Sequence, residues 1–176
     1  EELWACTTCK ACDENCPVNI EILDKILDMR RYLTLMESDF PSELGGAFRG
    51  MENNANPWNM NNGERADWAE NIDVEVVDPS DPFDHEYLYW VGCAGSFDDK
   101  NQKVSEATAK LLRRAGVDFA ILGPSEMCTG DSARRSGNEY LFQMLATENI
   151  NNLNEMGVRK RVTQCPHCFN TWMNEY

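Results

Sequence analysis

The amino-acid sequence predicts an α/β fold: a small parallel sheet with flanking helices, preceded by a short helical segment that carries a cysteine-rich loop. Three observations predict it. From residue 87 onward, short apolar runs alternate with helical periodicity in the order β-α-β-α-β-α, the pattern of parallel strands joined by right-handed crossovers. The eight cysteines fall into two groups, four within residues 6–16 and four placed just after the predicted strands. Between the two groups lies a stretch, 41–85, without sustained period.

The first element is the run Cys6-Thr-Thr-Cys9-Lys-Ala-Cys12-Asp-Glu-Asn-Cys16-Pro17, which has the spacing C-x2-C-x2-C-x3-C-P. This is the spacing of bacterial ferredoxins, in which three thiolates wrap three corners of one [4Fe–4S] cube and the fourth reaches the other cluster of a two-cluster domain. Cys6, Cys9 and Cys12 are therefore candidate ligands of one [4Fe–4S] cluster, and Cys16 of a second. Each set needs companions that this loop does not supply. Residues 1–40 are accordingly expected to be the C-terminal half of a two-cluster ferredoxin-type domain, within a chain cut from a longer polypeptide. Ile20, Leu23, Ile26, Leu27, Leu33 and Met36 recur at helical spacing without Gly or Pro, so 20–37 is expected to be an amphipathic helix, with Met29 and Met36 in its core.

Gly45, Gly46, Gly50, Pro57 and Gly63, with seven Asn between 53 and 71, mark 41–85 as an irregular linker with short helical turns at 47–51 and 66–71. Trp58 and Trp68 indicate that it lies against the rest of the chain. No chemistry is assigned to it. Residues 86–176 form the last module. Tyr87–Val91 is strand-like, and Val104, Ala107, Leu111 and Leu112 lie on a helix stopped by Gly116. Val117–Leu122 is a second strand and Asn138–Met156 a second helix ending at Gly157. Val158–Thr163 is a third strand, and Pro166 opens a last short helix.

Cys93, Cys128, Cys165 and Cys168 each follow one of these strands. In a parallel sheet the carboxyl ends share one edge, where ligand sites form, so separations of 35 and 37 residues collapse into one neighbourhood. Four thiolates suffice for a tetrahedral Zn²⁺ or for an Fe–S cluster. The plainer alternative, that Cys93 and Cys128 are small buried hydrophobes, does not account for a C-x2-C pair at a matching strand end.

The segments Val91-Gly-Cys93-Ala-Gly-Ser-Phe-Asp-Asp99, Glu126-Met-Cys128-Thr-Gly-Asp131-Ser-Ala-Arg-Arg135 and Thr163-Gln-Cys165-Pro-His-Cys168-Phe-Asn-Thr-Trp172 resemble the cysteine-rich CCG domain. That domain occurs in heterodisulfide reductase subunits and related Fe–S oxidoreductases, including members that pass electrons from electron-transfer flavoprotein to menaquinone. The resemblance implies an electron-transfer iron–sulfur oxidoreductase subunit, with a flavoprotein or dehydrogenase as donor and a quinone or membrane subunit as acceptor. It implies a membrane-associated complex on the cytoplasmic side, two [4Fe–4S] clusters in the complete ferredoxin-type domain, and a further Fe–S cluster or Zn in the cysteine-rich domain. The alternatives are a heterodisulfide or thiol reductase and a structural zinc module. One departure bears on them. The family's paired cysteines at the central motif appear here as Cys128-Thr129, so a five-thiolate noncubane cluster cannot form in the same way.

Composition narrows the partners. Lys and Arg number 16 against 30 Asp and Glu, a formal charge of −14, which argues against nucleic acid as a partner. The charge suits steering toward a basic protein, or simple solubility. No apolar run is long enough to span a bilayer. Among supporting residues, His167 between two cysteines is expected to neighbour the site rather than ligate. Asp131 and Ser132 are expected as helix N-caps, and Asp98 and Asp99 as helix N-terminal charges. Arg134 and Arg135 either offset cluster charge or form a solvated face. No Ser-His-Asp or Cys-His nucleophile set and no phosphate-binding loop is present.

Overall fold

The computed structural model describes residues 2–176; Glu1, the first residue of the expected 1–40 module, lies outside the described residues. The chain opens with two single-turn helices, α1 (Glu2–Ala5) and α2 (Ala11–Glu14), on either side of the first cysteines. Next comes α3 (Ile22–Tyr32), continued by a π-helical turn over Leu33–Glu37. The Asp13 carboxylate accepts from the amides of Ile22 (2.8 Å) and Leu23 (3.1 Å), so the loop itself caps α3.

The buried face of this helix is Leu23, Leu27, Arg30 and Thr34. Met29 and Met36, expected in its core, are exposed. The cause is Arg30, which takes an inner position because its guanidinium donates to three backbone carbonyls, those of Leu3, Cys6 (2.7 Å) and Arg135 (2.8 Å). A buried cation with carbonyl partners turns the helix away from the face that apolar spacing alone would choose.

The expected irregular linker contains a 13-residue helix, α4 (Ser42–Asn54). Three glycines hid it, since each weakens helix propensity by about 1 kcal/mol. Burial of Phe48 and Met51 offsets that weakness. Gly50 is required there: a Cβ would stand 2.7 Å from the carbonyl oxygen of Asn56. Beyond α4 the chain is held by 3₁₀ turns at Asn62–Glu64 and Asp67–Ala69 and by a parallel bridge from Val76 to Ile121. Trp68 is buried, whereas Trp58 is exposed.

The predicted α/β module follows. Its elements are β1 (Tyr87–Tyr89), α5 (Gly92–Phe97), α6 (Asp99–Arg114), β2 (Phe119–Ala120), α7 (Asp131–Arg135), α8 (Glu139–Met156), β3 (Arg161–Val162) and α9 (Pro166–Asn170). The sheet is wholly parallel in the order β2-β1-β3, with Tyr87 opposite Phe119 and Leu88 opposite Arg161. Side chains alternate along β1. Tyr89 and Val91 pack with Ala109 of α6 and with Trp68, while Leu88 and Trp90 pack with Leu153 and Met156 of α8. Cover on both faces explains why β1 and β2 are apolar throughout.

Capping also follows the expectations in part. Asp98 caps α6, Asn138 caps α8 through the Leu141 amide, and Gly157 (φ 77°) ends α8. The inner face of α6 is Ser105 and Ala109, not the exposed Val104, Ala107 and Leu111. Ser105 is drawn inward because its hydroxyl donates to the Gly95 carbonyl (2.9 Å).

Candidate metal centre

All three strands deliver cysteine to one edge. Cys93 is the second residue of α5, directly beyond the central β1; Cys128 follows β2 through a short turn; Cys165 and Cys168 flank Pro166 at the start of α9. The four line one cavity of about 200 Å³ with Thr129, Asp131 and His167. Cys93 and Cys128 interact as one pair of neighbouring thiols and Cys165 and Cys168 as another. Gly92 (φ 78°) allows the two pairs to approach, since a Cβ there would stand 3.0 Å from Cys168 Sγ.

A buried ion pair stands behind Cys93. Arg65 and Glu126 are each 1% exposed, and Arg65 Nη2 lies 3.2 Å from both Cys93 Sγ and Glu126 Oε1. Arg65 Nη1 donates to Asn62 Oδ1 (3.0 Å). The Glu126 carboxylate accepts from the amides of Val91 (2.9 Å) and Gly92 (2.7 Å). Burial opposes the Arg65 charge, but Cys93 and Glu126 together raise its pKa. The Cys128 hydrogen bond first, and the Arg65 cation after it, hold Cys93 below the ordinary thiol value against the opposing effect of burial. The Cys168 hydrogen bond does the same for Cys165, and Cys168 in turn is raised by that pairing and by burial. One thiol of each pair is thereby shifted toward the thiolate, the form that binds metal.

Neighbouring groups orient this edge. Asn149 Nδ2 donates to the Cys128 carbonyl (3.0 Å), and the Tyr176 hydroxyl donates to the Thr129 carbonyl (2.8 Å). Asp131 is the first residue of α7 rather than its N-cap, a position held by Gly130 in left-handed conformation. Its carboxylate binds Arg135 Nε (2.9 Å), His167 Nδ1 (2.9 Å) and Thr171 Oγ1 (3.4 Å). His167 is exposed, as a neighbour of the site would be. Ser132 donates to Met51 Sδ (3.4 Å) rather than capping.

The first cysteine loop packs against the same module. Thr8 and Lys10 hold left-handed φ values of 59° and 60°, coiling the backbone as loops that collect amide donors do. Cys6 Sγ accepts from the Thr8 amide (3.4 Å) and Cys16 Sγ from the Ile20 amide (3.3 Å). Cys6 and Cys16 are half-buried, Cys9 and Cys12 exposed. Arg135 Nη1 donates to Thr8 Oγ1 (3.0 Å), so Arg135 ties this loop to Asp131 instead of facing solvent. Arg134 pairs with Glu139 and Glu175 and stacks on Phe142.

Among the described residues, no three His, Cys, Asp or Glu side chains are grouped as ligands of one metal ion. A single zinc, bound to sulfur at about 2.3 Å, would hold its four sulfurs within roughly 4 Å of one another. The cavity of about 200 Å³ that the thiols line has room for a cluster as well as for a single ion. An anionic, thiolate-ligated cluster suits this donor set and the cation behind it.

Sequence reasoning placed all four strand-end cysteines at this edge and missed Arg65 and Glu126. Glu126 stands two residues before Cys128, inside the segment that carries the family resemblance, and was legible there. Arg65 sits alone among asparagines and glycines with no local signal.

Residues 87–172 match the family described as the cysteine-rich domain, CCG, the one that the three cysteine segments resemble. The whole chain is 47% identical, over 179 residues, to the EtfAB:quinone oxidoreductase of Syntrophomonas wolfei, of which it covers 25%. It is 46% identical to the probable iron-sulfur-binding oxidoreductase FadF of Bacillus subtilis, of which it covers 26%. One component of the dihydromethanophenazine:CoB–CoM heterodisulfide reductase of Methanosarcina barkeri is 26% identical over 96% of the chain and 40% of that component. The chain thus spans about a quarter of the length of the first two relatives. No solved structure matches. No helix among the described residues is long and apolar enough to cross a membrane.

Proposed function

We propose that this chain is the metal-carrying part of an electron-transfer iron–sulfur oxidoreductase. In this reading Cys6, Cys9 and Cys12 hold one [4Fe–4S] cluster and Cys16 contributes to a second. Cys93, Cys128, Cys165 and Cys168 hold a further cluster. Residues 1–40 act as half of a ferredoxin-type domain, 41–85 as the connecting segment and 86–176 as the cysteine-rich domain. The observation that carries the reading is the convergence of thiols from three strand ends on one cavity. When bound, such clusters supply single-electron transfer at potentials that burial and hydrogen bonds to sulfur adjust.

The chain's own residues supply the ligands, and Arg30 and Arg135 dock the first loop beside the second site. Likeness to a protein named EtfAB:quinone oxidoreductase supports a flavoprotein or dehydrogenase donor and a quinone acceptor. The remainder of the same polypeptide and a membrane-associated complex on the cytoplasmic side belong to the same reading. Thr129, where the family has a second cysteine, disfavours thiol or heterodisulfide reduction. A structural zinc is the second reading, because the thiols stand in two pairs with four donors, the full set that such a site takes.

The test counts iron and zinc in anaerobically purified full-length protein and in its Cys165→Ser variant. Loss of about four irons per chain, together with one EPR signal of the reduced protein, is the expected result. Loss of about one zinc with all iron retained refutes a cluster at this site.

A further inference from the structure

The segment that joins the two cysteine modules carries one residue out of keeping with a linker. Arg65 is a fully buried cation directly after the 3₁₀ turn Asn62–Glu64, and it reaches across the chain to Cys93 Sγ at 3.2 Å. Its partner, Glu126, comes from the turn that follows β2. The pair as a whole is neutral, but it is not symmetric about the sulfur. The guanidinium faces Cys93, while the carboxylate also engages the Val91 and Gly92 amides at 2.9 and 2.7 Å. Those amides spread the negative charge over backbone dipoles and fix the carboxylate, which in turn fixes Arg65. Phe97 covers the guanidinium, with its ring centroid 5.5 Å away. Arg65 Nε finds no partner among the described residues, so the same guanidinium retains a donor beyond those it has committed.

A buried ion pair rarely stabilises a fold over apolar residues of the same volume, and the fold alone does not explain this one. Its placement does. A cation held at hydrogen-bond distance from a ligand sulfur, inside a low-dielectric core, favours whichever state of the bound group carries more negative charge. For a thiolate-ligated cluster that is the reduced state. We infer that Arg65, held in place by Glu126, is the positioning residue that raises the reduction potential of the group bound by Cys93, Cys128, Cys165 and Cys168. The inference rests on the cluster reading of that site.

The experiment is an EPR-monitored redox titration of the full-length protein and of Arg65→Met, Arg65→Lys and Glu126→Gln, following the signal that Cys165→Ser abolishes. Arg65→Met removes the cation and the sulfur hydrogen bond. Its midpoint is expected to fall, with the oxidised-to-reduced ratio at fixed potential rising at least tenfold, about 59 mV for a one-electron couple. Arg65→Lys, which keeps the charge, is expected to recover most of that shift. Glu126→Gln removes the opposing charge and is expected to move the midpoint the other way. A purely structural pair would not produce shifts of opposite sign.

Equal midpoints in all four proteins, with the signal intact, overturn this inference alone. Zinc at the wild-type site overturns it together with the cluster reading, because zinc has no redox couple. Where Arg65→Met loses its iron, Glu126→Gln decides: a raised midpoint supports the role, and an unchanged or lowered one refutes it. Loss of iron in both makes Arg65 a structural residue and ends the inference.

Discussion

Gly137→Ala tests how the first cysteine loop is held beside the second site. Gly137 lies between α7 and α8 at φ 79°, with the backbone of α3 pressed against it. An added Cβ would stand 2.5 Å from the Arg30 carbonyl oxygen and 2.6 Å from the Arg31 amide nitrogen. These are backbone atoms, so no rotamer change relieves the contact, and α3 must retreat by roughly 1 Å to restore ordinary packing. That retreat stretches two bonds now at 2.8 Å, Arg30 Nη1 to the Arg135 carbonyl and Thr34 Oγ1 to the Ser136 carbonyl. A neutral bond contributes about 1 kcal/mol and a charge-assisted one about 1.5–3. The left-handed backbone adds about 1–2 kcal/mol for any residue with a Cβ.

Gly157→Ala is the matched control. Gly157 has φ 77° and nothing within 4 Å of its Cβ position, so it incurs only the backbone term. The difference between the two variants therefore isolates the contact with α3, about 3 kcal/mol. For a unit of this size that corresponds to a thermal midpoint roughly 6–12 °C lower in Gly137→Ala. Limited proteolysis should then cut the first twenty residues faster in Gly137→Ala than in Gly157→Ala. Equal midpoints and equal cleavage in the two variants would refute the docking of α3 on the cysteine-rich module.

Two further outcomes follow from the same structure. Asn138→Ala removes the side-chain acceptor that caps α8 at the Leu141 amide (3.2 Å) and should destabilise by about 1 kcal/mol, whereas Asn138→Asp should not; denaturation midpoints of the two variants check this. His85 is held above its ordinary pKa by the hydrogen bond to Asp118, with burial opposing and the charges of Asp118 and Glu75 assisting. A raised folded-state pKa contributes stability that is fully present below the unfolded value of 6.5 and is lost as pH rises through the folded value. The stability gap between wild type and His85→Gln should therefore be larger at about pH 6 than at about pH 8.5, and a gap independent of pH would contradict it.

Much of this architecture was legible because it is encoded locally. The periodicity of 139–156 and the Gly157 stop define α8 within a few residues of chain, and the strand-end positions of four cysteines follow from the β-α-β order alone. The helix faces were less legible. On α3 and α6, Arg30 and Ser105 hold inner positions because carbonyls from distant segments wait there. Apolar spacing then points to Met29, Val104 and Leu111, which face solvent. The helix α4 escaped for a related reason: its glycines argue against helix, and the packing of Phe48 and Met51 that outweighs them is tertiary.

By itself, then, the sequence determined the eight cysteines and their grouping, because their spacing and the strand order are properties of the chain near each one. The tertiary structure alone decided what faces those thiols. Arg65 lies 28 residues from Cys93 and 61 from Glu126, and nothing around it in the chain announces a site. Only the sheet order, which brings the ends of β1 and β2 side by side, leaves a buried place where its charge meets sulfur on one side and carboxylate on the other.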